Sequence, residues 1–432
     1  MATALIIVFV AVYAAIAMEE PLRINKSAAA LIGAGLLWVM YALANGDSAI
    51  VNQQLDHSLV DTAQIAFFLI GVMTVVEVVD AHDGFAVITS RLKTRSLATL
   101  TVLITAVTFV LSAVLANMTV AIVMVSLVRR LVSEQRDRLM LAGMIVIASN
   151  AGGAWSPIGD VTTTMLWIGG QVTTSAIVSR LLVPSLANAL VPLAIVAWRM
   201  RGKPVFAPGA PADDGPDETT AFERGVMFAL GIVALLSVPL FKALTGLPPF
   251  LGTLFALGIV WAVGDLMHRG KDREERRRVT IVEALGRIDM AAIVFFVGIL
   301  LAVATLQHAG VLASAARWLD ANVGRVDLIV LIFGLLSAIV DNVPMVAAAM
   351  GMYPLSAHPA GSFLWEFMAY CAGTGGSMLI IGSAAGVAAM GIEKIDFVWY
   401  LRRFTLLALL GYLAGAAVYI LQQEVIGHAP LT

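Results

Sequence analysis

The chain has little charge and almost no cysteine. Of its 432 residues only 13% are charged, while 60% are hydrophobic, and the mean hydropathy is +0.91. A soluble domain has no use for so much apolar sequence, whereas a bilayer requires it in blocks of roughly 17–25 residues. The lone Cys371 excludes an intramolecular disulfide and argues against a thiolate-held metal. The net charge of −2 carries no message, because the charges are segregated into loops. No Lys or Arg precedes the apolar run at 3–18, so a retained first helix is expected there, although Ala15-Ile16-Ala17 resembles a signal-peptide cleavage site. The fold class is therefore an all-α polytopic membrane protein, with lipid rather than nucleic acid as its surroundings.

The apolar blocks predict ten spans, at 3–18, 27–45, 62–80, 139–170, 177–198, 224–242, 249–267, 289–307, 363–392 and 397–421. Two further stretches, 97–128 and 326–352, do not fit a simple crossing. A helix over all of 97–128 would be roughly 48 Å long, too much for one crossing, and two crossings need about 40 residues plus a turn. A re-entrant hairpin fits both stretches better.

Cytoplasmic loops carry the excess of Lys and Arg. The basic loops are Arg23/Lys26, Arg91/Lys93/Arg95, Arg129/Arg130/Arg136/Arg138, Arg199/Arg201/Lys203 and the run from Arg269 to Arg287. The loop at 46–61 has neither residue and is placed outside. On this basis the first hairpin opens to the cytoplasm, the second opens outside, and both termini are extracytoplasmic. Residues 201–222, with four prolines and three aspartates, form a polar cytoplasmic linker between the halves 1–200 and 223–422.

The two halves resemble each other. Phe67-Phe68 recurs as Phe295-Phe296, Gly84 as Gly310, and Leu111-Ser-Ala-Val-Leu-Ala-Asn117 as Leu336-Ser-Ala-Ile-Val-Asp-Asn342. Ala151-Gly-Gly pairs with Thr374-Gly-Gly, and Pro157-Ile-Gly-Asp160 with Ile380-Ile-Gly-Ser383, while the offset drifts only from 228 to 223. Five spans per half is an odd number, so the repeats must have opposite orientations. Inverted repeats with paired broken helices are the architecture of secondary transporters, with the site near the midplane.

The breaks themselves are visible. In the run Ser149-Asn-Ala-Gly-Gly-Ala-Trp-Ser-Pro-Ile-Gly-Asp-Val-Thr-Thr-Thr164, seven of sixteen residues are Ser, Thr, Asn or Asp and four more are Gly or Pro. Irregular backbone at membrane depth is tolerated only where it is buried in protein or lines a cavity. The discontinuous helices are thus expected within 139–170 and 363–392, with backbone open at Gly152, Gly153, Gly159, Gly375 and Gly376. Carboxylates inside a membrane are costly and functional by default. Asp160 lies in the first break and Asp341 at the tip of the second hairpin. Glu77 and Glu366 are weaker candidates, because capping or pairing explains them as well.

Unwound carbonyls and half-helix C-termini attract cations, and side-chain oxygens complete a hard-ligand shell. Ser112, Asn117 and Thr119 supply these from the first hairpin, and Ser337 and Asn342 from the second. Ser149, Asn150, Thr162, Thr163, Thr374, Ser377 and Ser383 supply more from the broken helices. Any single Ser or Thr can simply bond its own i−4 carbonyl, so the signal lies in the cluster. The hairpins and breaks contain no Lys or Arg, and Lys242 is expected to snorkel from the end of its span. Two acids without a base favour a cation over a dicarboxylate. Burial and a neighbouring like charge both favour a protonated carboxyl, so sodium and a proton can compete for one site, which suffices for exchange. No cofactor is called for.

The long motif at 149–164, together with Asp341-Asn-Val-Pro344 and Gly373-Thr-Gly-Gly-Ser377, resembles the NhaD-type sodium/proton antiporters of the ion transporter superfamily. That superfamily also holds divalent-anion/sodium symporters and arsenite permeases. The resemblance covers nearly the whole chain. It implies a non-enzymatic Na⁺(Li⁺)/H⁺ exchanger of the bacterial inner membrane serving pH homeostasis, as a dimer with a scaffold and a moving transport part. In the related symporters each hairpin tip reads Ser-Asn-Thr and holds sodium. Here the tips read Ala116-Asn-Met118 and Asp341-Asn-Val343, so the anion contacts are lost and an acid is gained. Two other readings remain: sodium-coupled uptake of a small dicarboxylate or oxyanion, and, remotely, an intramembrane aspartyl protease using Asp160 and Asp341.

Overall fold

Where the sequence runs apolar without interruption the chain is one helix, and where glycine and polar residues cluster the helix breaks. The computed structural model describes residues 1–89, 94–206, 219–269 and 280–426, apart from the side chains of Ala17, Glu20, Pro21, Thr89 and Ile426. Most of the Pro-rich linker and the centres of two basic loops (Arg91/Lys93 and Lys271 to Arg278) lie outside the described residues. Among the described residues the chain is all-helical, with a single isolated β-bridge between Ser96 and Pro204.

Among the described residues seven helices are long and apolar enough to cross a membrane: Lys26–Asn45, Ser48–Ala81, Thr174–Arg199, Ala221–Thr245, Pro249–Met267, Met290–His308 and Thr405–Val425. The shorter Ala2–Ala17 and two broken helices complete ten elements, which overlap the ten expected spans. Large apolar side chains such as Leu43 (83% exposed) and Val425 (85%) face outward. A solvent-facing surface would not carry them in such number. The chain is a multi-pass membrane protein.

Two expectations need correction, and one helix is added. The third span, 62–80, is only the end of the 34-residue helix Ser48–Ala81. Asp47 caps that helix by accepting from the amides of Ala49 and Ile50, so helical backbone starts well before the apolar run. The last span, 397–421, is two helices, Phe397–Arg403 and Thr405–Ile426. The joint is Phe404, whose buried ring occupies the space left by Gly143. Val311–Asn322 is a further, amphipathic helix before the second hairpin.

Both interrupted stretches are helical pairs around a short turn. Leu97–Ser112 and Asn117–Leu131 form the first, Val326–Leu336 and Asn342–Met352 the second. Both broken helices, Gln135–Ala154/Val161–Ile168 and Phe363–Gly375/Ala384–Glu393, run through the centre. Every residue from Leu141 to Ala154 and from Leu364 to Gly375 is buried. A helix covered all round belongs to the interior.

Helix contacts fall into two groups. The hairpins, the broken helices, Thr174–Arg199 and Thr405–Ile426 pack on one another. Ala2–Ala17, Lys26–Asn45, Ser48–Ala81, Ala221–Thr245, Pro249–Met267 and Met290–His308 form the second group. The groups meet mainly where Asn342–Met352 lies against Met290–His308, and where Val161–Ile168 touches Ser48–Ala81.

Glu366 belongs to a strut inside the first group. Arg180 Nη1 donates to both of its carboxylate oxygens at 3.1 Å, Tyr419 donates at 3.0 Å and Gln423 at 3.4 Å. Removing one partner of a buried ion pair costs about 3–5 kcal/mol, whereas replacing both by apolar groups is close to neutral. Arg180→Met is therefore expected to lower the melting temperature of the detergent-purified protein by several degrees. The double variant with Glu366→Leu is expected to recover most of that loss in the same melting assay.

Candidate functional site

Within each half, hairpin and broken helix meet at irregular backbone, and glycine is what lets them meet. A Cβ on Gly152 would strike the carbonyl oxygen of Phe109, and one on Gly159 the carbonyl oxygen of Ser112. At the corresponding positions of the second half, a Cβ on Gly375 would strike the carbonyl oxygen of Gly334, and one on Gly382 that of Ala338. Gly153 lies against the Gly159 carbonyl as Gly376 lies against that of Gly382. The same hairpin-to-break packing is thus built twice. Ser112 and Ser337 occupy equivalent places in it: the first donates to the Ser149 carbonyl at 2.6 Å, the second to the carbonyls of Gly334 and Ala372.

Polar side chains collect where the two breaks face each other. Asp160, 2% exposed, caps Val161–Ile168 by accepting from the Thr162 amide at 3.0 Å. Its second oxygen accepts from Asn117 Nδ2 at 3.3 Å. Asn117 also donates to Asn150 Oδ1 at 3.0 Å, and Asn150 Nδ2 donates to Ser377 Oγ and Ser383 Oγ, both at 2.9 Å. Asn150 therefore joins the first hairpin to the second broken helix. Its counterpart by position is Gly373, which lies against Asp160 from the far side.

Two features of this cluster are chemically unusual. Asp160 has no ion-pair partner among the described residues, and its bonds are all to neutral donors. An ionised carboxylate at such a place is strongly disfavoured, so it must be neutralised by a proton or by a cation the protein does not supply. The second feature is an unpartnered oxygen. Among the described residues Thr163 Oγ1 is buried without a hydrogen bond, and Thr162 Oγ1 lies beside the Asp160 carboxylate without reaching hydrogen-bond geometry. Buried hydroxyls are ordinarily bonded, as Thr374 is to the Tyr370 carbonyl at 2.7 Å.

Asp341 stands apart from this cluster, within electrostatic reach of Asp160 but not bonded to it. It caps Asn342–Met352 through the Val343 amide, and Asn342 is buried beside it. The expectation of two acids and no base is corrected here: Lys26 Nζ lies 3.4 Å from Asp341 Oδ2. In the sequence Lys26 reads as part of a basic loop, and no local pattern reveals a contact across 315 positions. Lys242 does not snorkel outward; its ammonium donates to the Trp167 carbonyl at the C-terminal end of a half-helix and lies over the Trp167 ring. Glu77 is half-buried near Asp80 and Arg287, with no described contact to the cluster, and Thr119 is half-buried without a hydrogen bond. Ser149 Oγ donates to its own helix at Val146. Sequence reasoning missed one further cluster, the buried His82–His268 pair, with Nε2 atoms 2.7 Å apart and Glu223 beside His268.

A family model described as "Citrate transporter" (CitMHS) matches residues 13–373. The chain belongs to the CitMHS family. Among its relatives, "Sodium/proton antiporter 1" of Arabidopsis thaliana is 47% identical over 97% of this chain and 72% of its own length. "Na(+)/H(+) antiporter NhaD" of Vibrio cholerae is 30% identical over 97% of this chain and 91% of the relative. Both relatives are named as sodium/proton antiporters, the second as NhaD, in line with the resemblance carried by the motif at 149–164, and so as transporters rather than enzymes. The fold also resembles the YdaH transporter of Alcanivorax borkumensis, whose reported topology is unusual. That match has a TM-score of 0.56 at 13% identity and covers 94% of this chain and 99% of that one.

Proposed function

We propose that the protein exchanges sodium, and lithium, for protons, and that Asp160 holds the proton and the cation in turn. The observation that carries this reading is the buried Asp160 carboxyl with no cationic side chain beside it among the described residues. Such a group is neutral with a proton and equally so with a monovalent cation, but not with both. The unpartnered hydroxyls of Thr162 and Thr163 are the neutral oxygens offered to the cation, Asn117 meets the carboxyl through Nδ2, and Asn150, bonded to Ser377 and Ser383, ties the opposite break to the same point. The names of the relatives agree with this chemistry.

The halves are read as inverted repeats, with the turns at 113–116 and 337–341 as tips of re-entrant hairpins. Alternating access is carried by movement of the hairpin-containing group against the other. The homodimer, the inner-membrane location and the extracytoplasmic termini belong to the same proposal. Reporter fusions at Met1 and Thr432 test the termini: a reporter active only outside the cytoplasm is expected to be active at both ends.

The test of exchange uses everted vesicles with a respiration-driven proton gradient and a pH-sensitive dye. Added Na⁺ or Li⁺ is expected to dissipate the gradient, and choline chloride is expected not to. The family description makes citrate the second substrate to try, because a dependence of sodium flux on citrate would reverse the reading in favour of symport. The site argues against it: no described Lys or Arg lies beside Asp160, and Lys26 already faces a carboxylate. A protease dyad requires two carboxyls sharing a proton at close contact, and the bonds of Asp160 and Asp341 lead elsewhere.

The unpartnered Thr163 hydroxyl gives a graded prediction. Thr163→Val keeps shape and burial but removes the oxygen. The half-saturating sodium concentration in the vesicle assay is expected to rise roughly tenfold, about 1.4 kcal/mol, at an unchanged maximal response.

A further inference from the structure

Lys26 sits where the two helix groups meet. Its backbone opens the Lys26–Asn45 helix, capped by Asn25 through the Ser27 amide, and Ser27 Oγ donates to the Ala291 carbonyl at 2.6 Å. The lysine is thereby anchored on the group that lacks hairpins. Its ammonium lies 4.6 Å from the centre of the Phe295 ring, on a helix of that same group. The one carboxylate its ammonium meets among the described residues, Asp341 at 3.4 Å, is at the tip of the second hairpin, in the other group. The pair is partly open, with side chains 31% and 22% exposed. The neighbouring Tyr13 hydroxyl is buried without a hydrogen-bond partner among the described residues and lies within electrostatic reach of Asp341.

Resting on the exchange reading above, we infer that Lys26 is a built-in monovalent cation that competes with sodium for Asp341 and so sets the apparent sodium affinity. The argument is one of exclusion. The second acid, Asp341, can compensate one positive charge at close range, and Lys26 supplies that charge in the present arrangement. A sodium ion held at Asp341 would stand against the ammonium, so the two occupants alternate. The anchor on Asn25 and Ala291 keeps Lys26 in place, while Asp341 travels with its hairpin. The contact is therefore made in one arrangement of the groups and broken in another. On the proposed topology Lys26 marks the cytoplasmic end of its helix, which draws the tip of the outward-opening hairpin toward that side. Remaking the contact there displaces sodium. The free Tyr13 hydroxyl is available to whichever partner leaves or arrives.

The test separates affinity from rate. In the vesicle assay, Lys26→Gln removes the competing charge. Its half-saturating sodium is expected to fall at least threefold, and its maximal rate to fall as well, because sodium is no longer displaced. Lys26→Arg keeps a charge that can face Asp341 and is expected to stay within twofold of wild type in both quantities. A Lys26→Gln protein with unchanged or raised half-saturation overturns the inference. Should that variant fail to reach the membrane, the wild-type protein in detergent answers the same question. Amine acylation of Lys26, read by mass spectrometry, is expected to quicken in NaCl relative to choline chloride of equal strength, and equal rates overturn the inference. A wild-type protein that moves no protons with sodium would instead fail the exchange reading. Exchange in wild type with no change in Lys26→Gln fails the role of Lys26 alone.

Discussion

Vesicles carrying Asp160→Asn are expected to show no sodium-driven proton movement, a loss of at least about a hundredfold, or roughly 2.7 kcal/mol and more. The substitution is informative because Asp160 has two roles that it separates. As a cap, the side chain accepts from the Thr162 amide, and an asparagine oxygen does this equally well. As an exchange site it needs a charge that a proton or a cation can neutralise, which asparagine lacks. Were Asp160 only a cap, Asp160→Asn would transport normally. Asp160→Ser sharpens the comparison, since serine already caps the matching half-helix, where Ser383 accepts from the Gly386 amide. Both variants are expected to reach the membrane in normal amount and melt within a few degrees of wild type, and both are expected to be inactive in the dye assay.

Gly159→Ala is expected to be as damaging for a different reason. The added methyl would press on the Ser112 carbonyl and on the Cα atoms of Gly153 and Ala113, all of them backbone. No side chain can rotate away, so hairpin and break must separate. Overpacking of this kind costs about 1–3 kcal/mol, occasionally more. The displaced atoms include the amide of Asn117, which donates to the Gly159 carbonyl at 3.1 Å, so the damage reaches the ligand cluster directly. The duplicated geometry makes Gly382→Ala an equivalent injury, through the Ala338 carbonyl. Gly258→Ala is the control: that glycine is helical, nothing lies within 4 Å of its missing Cβ, and the change is expected to stabilise slightly, by about 0.5–1 kcal/mol. Protein yield, melting temperature and vesicle activity together distinguish these outcomes.

Much of this fold was legible because glycine and proline punctuate apolar sequence. Gly152, Gly153, Gly159 and Pro157 placed the first break, and their counterparts Gly375, Gly376 and Gly382 the second. Glycine was also what the structure required there, since backbone meets backbone at each of them. Asn150, Asn117, Ser377 and Ser383 were candidates by chemistry and by duplication, and the structure joins them in one chain of hydrogen bonds. What escaped was tertiary. Lys26 reads as one more residue of a basic loop until the second hairpin is laid against it. His82 pairs with His268 across 186 positions, and nothing near either residue announces it. The early start of Ser48–Ala81 was hidden by its polar residues, which resemble a loop until the Asp47 cap is seen.

The central claim is that sodium and a proton compete for one buried carboxyl, and proton release on sodium binding tests it most directly. Purified protein in detergent, weakly buffered and with a pH-indicating dye, is titrated with NaCl and, in parallel, with choline chloride. No membrane and no gradient are needed, since occupancy alone is read. Sodium is expected to release protons in proportion to the protein, and Asp160→Asn to release none. The half-saturating sodium concentration is expected to fall by about tenfold for each unit of rising pH while the carboxyl remains mostly protonated. Sodium that binds or crosses the membrane without releasing a proton, or an undiminished release from Asp160→Asn, would contradict the account.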